Sequence, residues 1–204
     1  MNIKGKNFSC NNCKGLRKKS DLYETPYSLT RLLLDRVKLQ GSILEPSCGH
    51  GAIVKVLTEY SYKPKYYDLV QYNNSYQSKD FLTEKKHFDT IITNPPFSLA
   101  YQFIQHSKQI CNEIFFLLPL SYLHGKQRYD NIYTDKSFPL KKIYVFTRYP
   151  MLGEKLNDNG KLNTGMIVYC WMQFTKGYTG NAEIDWIDIN SYIQRKNDKK
   201  QQAI

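Results

Sequence analysis

Asn94-Pro95-Pro96-Phe97 is the stretch whose residue types come closest to a defined chemistry. Two consecutive prolines stiffen a turn and remove two backbone donors, leaving carbonyl oxygens to face outward. An amide side chain and a carbonyl oxygen can together accept both hydrogens of a flat amino group. An aromatic ring just behind them can stack on a heterocycle. The set suits an exocyclic amine on a nucleic-acid base, poised for attack on a sulfonium methyl. The plain alternative is a Pro-Pro loop that only caps the following helix.

A second group lies upstream. Leu44-Glu45-Pro46-Ser47-Cys48-Gly49-His50-Gly51 is expected to join a strand to a helix. Glycines at such a place let a ligand approach the backbone closely. Asp68 follows at about the spacing of a ribose-binding carboxylate. Together they suit a nucleoside-bearing cofactor and leave open whether it is a nicotinamide or a sulfonium. The lack of a GxGxxG run argues against a pyrophosphate. Further on, Ser121 to Lys136 interleaves aromatic and basic residues, among them Tyr122, His124, Lys126, Arg128 and Tyr133. Such a mixture suits phosphate contacts and base stacking, although an ordinary solvated loop has the same look. Residues 150–164 are a second region of that kind.

These groups need elements to hold them. Pro26 opens a helix with Thr25 as its cap and Leu29, Leu32 and Leu33 on the buried face. Ser42 to Pro46 reads as a strand. Ile53, Val56, Leu57 and Tyr60 fall at i, i+3, i+4 and i+7, as in a helix. Strands are expected at Lys65 to Val70, Phe88 to Thr93, Glu113 to Leu120, Lys142 to Thr147 and Met166 to Phe174, with a helix from the Pro-Pro turn to about Cys111. Strands separated by helices imply an α/β fold with a mostly parallel sheet. The last two lack an intervening helix and are expected to run antiparallel.

The 204 residues fit one domain, and a hydrophobic fraction of 41% supports a real core. The longest apolar run, Ile114 to Leu120, is too short to span a bilayer, and the first residues have no secretory character. A cytoplasmic protein without a membrane partner is the expectation. The 29 Lys+Arg against 18 Asp+Glu give a net charge of +11, which favours polyanionic partners. Cys10 and Cys13 have half of a zinc-ligand spacing with no second pair, so no metal is expected. Residues 1–20 read as a basic arm, 21–190 as the folded domain and 191–204 as a charged tail.

Taken in order, Tyr23-Glu24-Thr25-Pro26, Glu45 to Gly51, Asp68, Asp80-Phe81 and Asn94 to Phe97 make the chain resemble the N6-adenine DNA methyltransferases, especially small phage-type members. The resemblance covers roughly Asp21 to Asp188. It implies a Rossmann-like, seven-stranded sheet with its third strand shortened, S-adenosylmethionine as cofactor, and DNA as partner in preference to RNA. By that resemblance Tyr23 and Thr25 would meet the methionine end of the cofactor. Glu45, Pro46, Cys48, Gly49 and Gly51 would form the floor beneath it. Asp68 would take the ribose, Asp80 the adenine amine, and Phe81 would pack on the adenine ring. Asn94 and the Pro95 carbonyl would hold the target amine, with Pro96 stiffening the turn and Phe97 stacking on an extruded base. No separate target-recognition segment exists, so Tyr122, His124, Lys126, Arg128, Tyr133 and residues 150–164 would carry nucleic-acid binding. The rivals are an RNA adenine methyltransferase, a protein glutamine methyltransferase, and a catalytically idle nucleic-acid-binding or inhibitor protein that keeps the fold.

The basic arm carries its own expectation. A chain beginning at Asp21 should bind DNA with a shallower slope of log affinity against log salt than the full chain, because fewer counterions are released. Equal slopes in a fluorescence titration would show that the arm makes no phosphate contacts.

Overall fold

The computed structural model describes residues 24–148 and 167–190. The expected basic arm with Cys10 and Cys13, Tyr23, the 150–164 segment and the charged tail lie outside them. In chain order the elements are α1 (Tyr27–Leu34), β1 (Ile43–Glu45), α2 (Ala52–Glu59), β2 (Lys65–Tyr66), β3 (Phe88–Thr93), α3 (Ala100–Ile110), β4 (Cys111–Pro119), the short α4 (Lys126–Arg128), β5 (Leu140–Phe146), β6 (Tyr169–Thr175) and β7 (Glu183–Ile187). They build a 7-stranded sheet in the order β2-β1-β3-β4-β6-β5-β7.

The neighbours β2, β1, β3 and β4 are parallel, β6 runs antiparallel to both β4 and β5, and β7 returns to parallel pairing with β5. The antiparallel strand is therefore the last one legible in the sequence, Tyr169–Thr175. The strand β7 beyond it was not anticipated, because Glu183-Ile184-Asp185-Trp186-Ile187 mixes charge with apolar residues. Its acids are held by Lys142, 3.5 Å from Glu183 and 3.6 Å from Asp185. The strand expected over Lys65 to Val70 shrinks to Lys65–Tyr66. Between β2 and β3 the described residues form one lone parallel bridge, Asp68 with Ser78, and the expected shortening falls on the second strand.

Two apolar layers sandwich the sheet, which explains why β4 reads as an unbroken hydrophobic run. Successive side chains point to opposite faces. Ile114, Phe116 and Leu118 join the layer beneath α3, with Phe103, Ile104, Met172 and Phe174. Phe115 and Leu117 join the layer beneath α1 and α2, with Leu29, Leu32, Leu33, Val56, Leu57 and Trp171. Trp171 also donates its indole N–H to the Leu29 carbonyl at 3.2 Å, fastening α1 to the sheet. Arg31 holds α1 to α2 through hydrogen bonds of 2.8–3.0 Å to the Glu59 carboxylate.

The stretch between β2 and β3 is organised by a buried carboxylate. Glu84 accepts from the Tyr67 hydroxyl at 3.1 Å, from Lys79 at 2.7 Å, and from the Lys85 and Lys86 backbone at 3.1 and 3.0 Å. Burial alone would raise its pKa, but these bonds and the Lys79 charge prevail and lower it to about 2. A depressed folded-state pKa contributes stability above the ordinary carboxyl value, and the contribution is lost as pH falls from there toward 2. Glu84→Gln should cost about 1.5 kcal/mol near pH 7, a modest figure because Lys79 is partly open to water. Denaturant titrations of both proteins should converge as the pH drops below 4.5; a constant gap down to pH ~3 would contradict the assignment.

Candidate functional site

Parallel pairing of β1 with β3 aligns Ile43 with Thr90 and Leu44 with Ile91. Both strands therefore deliver the loops at their carboxyl ends to one edge of the sheet, where open α/β sheets bind ligands. The glycine loop leaves β1 after Glu45, and the Pro-Pro turn leaves β3 after Thr93.

The glycine loop is shaped by backbone conformation. Gly49 has φ 52° and Gly51 φ 88°, both in the left-handed region that favours glycine. A Cβ built on Gly51 would meet nothing within 4 Å, so the loop faces open space there. Pro46 and Cys48 are buried behind it. The Cys48 backbone N–H donates to the Tyr67 carbonyl at 3.1 Å. Burial and the neighbouring Glu45 push its thiol up to about 12, which leaves it a packing group.

Two buried carboxyl groups interact electrostatically at this loop. Glu45 is 1% exposed, and one of its oxygens, Oε2, has no hydrogen-bond partner. Burial first, and then the charge of Asp68, raise its pKa well above the ordinary value. Asp68 is buried too, and it accepts from the Gly49 N–H at 2.9 Å and the Val70 N–H at 3.1 Å. A buried acid with an idle oxygen beside a second acid is an arrangement that a cationic ligand group would relieve.

The turn after β3 is half-buried. The Pro96 carbonyl is used within it, accepting from the Leu99 N–H at 2.9 Å. The Pro95 carbonyl accepts no backbone hydrogen bond among the described residues. The Asn94 side chain donates through Nδ2 to Thr25 Oγ1 at 3.1 Å. Thr25 is thus not the cap of α1, as expected from the sequence. Pro26 occupies that position without a side-chain cap bond, and Thr25 is buried against the turn instead. Phe97 lies against Tyr169 at the start of β6, with ring centroids 5.5 Å apart and planes 28° from parallel.

Not every expected residue lies where it was placed. Phe81 is 2% exposed and packs on Phe103 and His106, 4.7 and 4.9 Å between ring centroids. Its ring belongs to the core and is not available to a ligand's ring. Asp80 is exposed and caps the short turn Phe81–Thr83 by accepting from the Leu82 N–H at 2.9 Å. The exposed apolar groups nearby in sequence to the two acids are Leu82 at 36%, and Leu69 and Val70 at 61% and 47%. The sequence reading passed over all three, since one leucine or valine next to an acid carries no pattern.

The expected nucleic-acid residues divide in two. His124 ends the turn after β4, and Lys126 and the half-buried Arg128 lie on the short α4, beyond the strand's carboxyl end. Lys126 pairs with Asp130 four residues on, and Arg128 bonds the His124 carbonyl and covers the Tyr122 ring at 4.6 Å. Tyr122 and Tyr133 instead pack on the core, and the Tyr133 hydroxyl donates to the Tyr122 carbonyl at 2.9 Å. The described residues contain no group of His, Cys, Asp and Glu able to hold a metal ion, and no helix long and apolar enough to cross a membrane.

No protein-family model and no curated protein matches the sequence. Solved structures do match the fold. The modification protein of the type I restriction enzyme EcoKI aligns with a TM-score of 0.54 at 14% identity, over 80% of this chain and 46% of its own. A Vibrio vulnificus YJ016 protein, described as a modification subunit of a type I restriction enzyme, aligns at 0.52 and 16%, over 83% and 47%. This chain thus spans about half the length of each. The 23S rRNA methyltransferase ErmE aligns at 0.51 and 12%, over 78% of this chain and 73% of its own. The chain has the Rossmann-like fold of S-adenosylmethionine-dependent methyltransferases.

Proposed function

We propose that this protein transfers a methyl group from S-adenosylmethionine to the exocyclic amine of a nucleic-acid base, with adenine N6 in DNA as the target. The observation that carries the reading is the Asn94-Pro95-Pro96-Phe97 turn beside the glycine loop at one sheet edge.

The residues fit the cofactor. The idle, buried Oε2 of Glu45 suits the ammonium of its methionine part, and the open space before Gly51 admits it without meeting a side chain. A carboxylate has about four lone-pair sites, so Asp68, with two backbone donors bound, retains capacity for ribose hydroxyls. Leu69, Val70 and Leu82 offer exposed apolar surface for a flat purine, in place of the buried Phe81. When bound, the cofactor supplies a methyl group already activated by its positive sulfur.

The chain's own residues then position the acceptor. Asn94 donates through its NH₂ to Thr25, which fixes the orientation of the amide, and its Oδ1 would accept from the target amine. The Pro95 carbonyl is the second acceptor. Both interactions strengthen as positive charge builds on the nitrogen during transfer, so they act on turnover more than on binding. The amine's surplus proton leaves after the bond has formed, and no strong base is needed. Phe97, backed by Tyr169, offers a rigid ring on which an extruded base stacks.

RNA as substrate is the second reading. It is favoured by the similar span of the rRNA methyltransferase ErmE, of which the alignment takes in 73%.

Asn94→Ala should lower kcat at least a hundredfold while changing the dissociation constant of S-adenosylmethionine less than threefold. Removal of a transition-state hydrogen bond of roughly 2.7–4 kcal/mol sets that scale. Radiolabelled transfer to duplex DNA and titration calorimetry measure the two quantities. Full activity in the variant would contradict the role of the turn.

A further inference from the structure

The loop from Leu69 to Gln77 returns to the glycine loop through one buried side chain. Tyr76 is 7% exposed, and its hydroxyl lies 2.9 Å from the Gly49 carbonyl and 3.1 Å from the Val70 carbonyl. It also accepts from the Tyr72 N–H at 3.1 Å. Gly49 and Val70 are the residues whose N–H groups Asp68 holds. The same two residues are therefore held twice, at their N–H groups by a carboxylate and at their carbonyls by a phenol.

This double closure bears on the residue that has the least conformational restraint of its own. Gly49, at φ 52°, has no side chain to hold it in the left-handed region. Only contacts from outside can fix its peptide planes. Asp68 fixes the N–H side, but a glycine can still pivot about that bond. The Tyr76 hydroxyl removes the pivot by holding the carbonyl. Burial pushes the phenol's pKa up to about 12, so it keeps the proton that it donates. With one proton and two carbonyls in reach, it can serve either and couples the two loops.

We infer that Tyr76 is a positioning residue for the cofactor: through Gly49 and Val70 it holds the glycine loop and the Asp68 loop at the spacing that S-adenosylmethionine requires. The inference rests on the function proposed above and adds to it a residue that none of the motifs contains. The hydrogen-bond partners of the Tyr76 hydroxyl are all backbone atoms.

Tyr76→Phe tests it, since the ring stays in the core and only the hydroxyl is lost. In the free protein, hydrogen exchange of the glycine-loop amides at 48–51 should quicken about tenfold. The dissociation constant and the KM for S-adenosylmethionine should rise about tenfold as well, the scale of one hydrogen bond lost. The KM for DNA and the kcat at saturating cofactor should stay within twofold of the parent. A general loss of folding would instead lower kcat through the active fraction and leave the cofactor KM alone. Parent-like exchange together with parent-like cofactor affinity would overturn the inference. Exchange is read without any ligand, so a parent protein that bound no S-adenosylmethionine would refute the proposed function, while unchanged exchange would separately refute the clasp.

Discussion

The parallel hydrogen bonding of β1 to β3 is the constraint on which the site depends. Neighbouring parallel strands end on the same side of a sheet, so two loops that are some forty residues apart in the chain, Glu45 to Gly51 and Asn94 to Phe97, become neighbours. Nothing in either loop would suffice without that pairing. The apolar layers on both faces of the sheet, anchored by residues such as Phe115, Phe116 and Trp171, keep it rigid, and the loops inherit their placement from it.

Placing acids at that edge costs stability, and the structure offsets the cost unevenly. Glu84, behind the edge, has a full set of donors and a lowered pKa. Asp68 has two backbone donors. Glu45 has an oxygen with none and a raised pKa. The gradient runs from a fully bonded carboxylate to one with an idle oxygen, the group proposed above to take the cofactor's ammonium. The Asn94–Thr25 bond belongs to the same logic: it fixes the orientation of the amide, whose Oδ1 stays buried.

Much of this was legible in the sequence. The bounds of β3 were read to the residue, and the runs that became α2, α3, β4 and β6 stood out by period or by length. The glycine loop and the Pro-Pro turn were recognisable because glycines and paired prolines impose unusual backbone at fixed places. What escaped notice was set by three-dimensional contact. β7 was hidden because Glu183 and Asp185 read as loop until Lys142 stands across from them. Thr25 has the look of a helix cap at Thr-Pro, and only the fold shows Asn94 beside it. Phe81 was read as a ligand's neighbour by its position after Asp80, yet in the fold its ring is buried against Phe103 and His106. Tyr76 has no sequence signal at all, since its partners are backbone atoms.

The central claim is methyl transfer to a base amine, and one incubation tests it most directly. The protein is given S-adenosylmethionine labelled in its methyl group, with DNA, RNA and protein as separate acceptor pools, and each pool is digested and read by mass spectrometry. The account predicts label in DNA, as N6-methyladenine. Label confined to protein, or recovered in DNA as N4-methylcytosine, would contradict it.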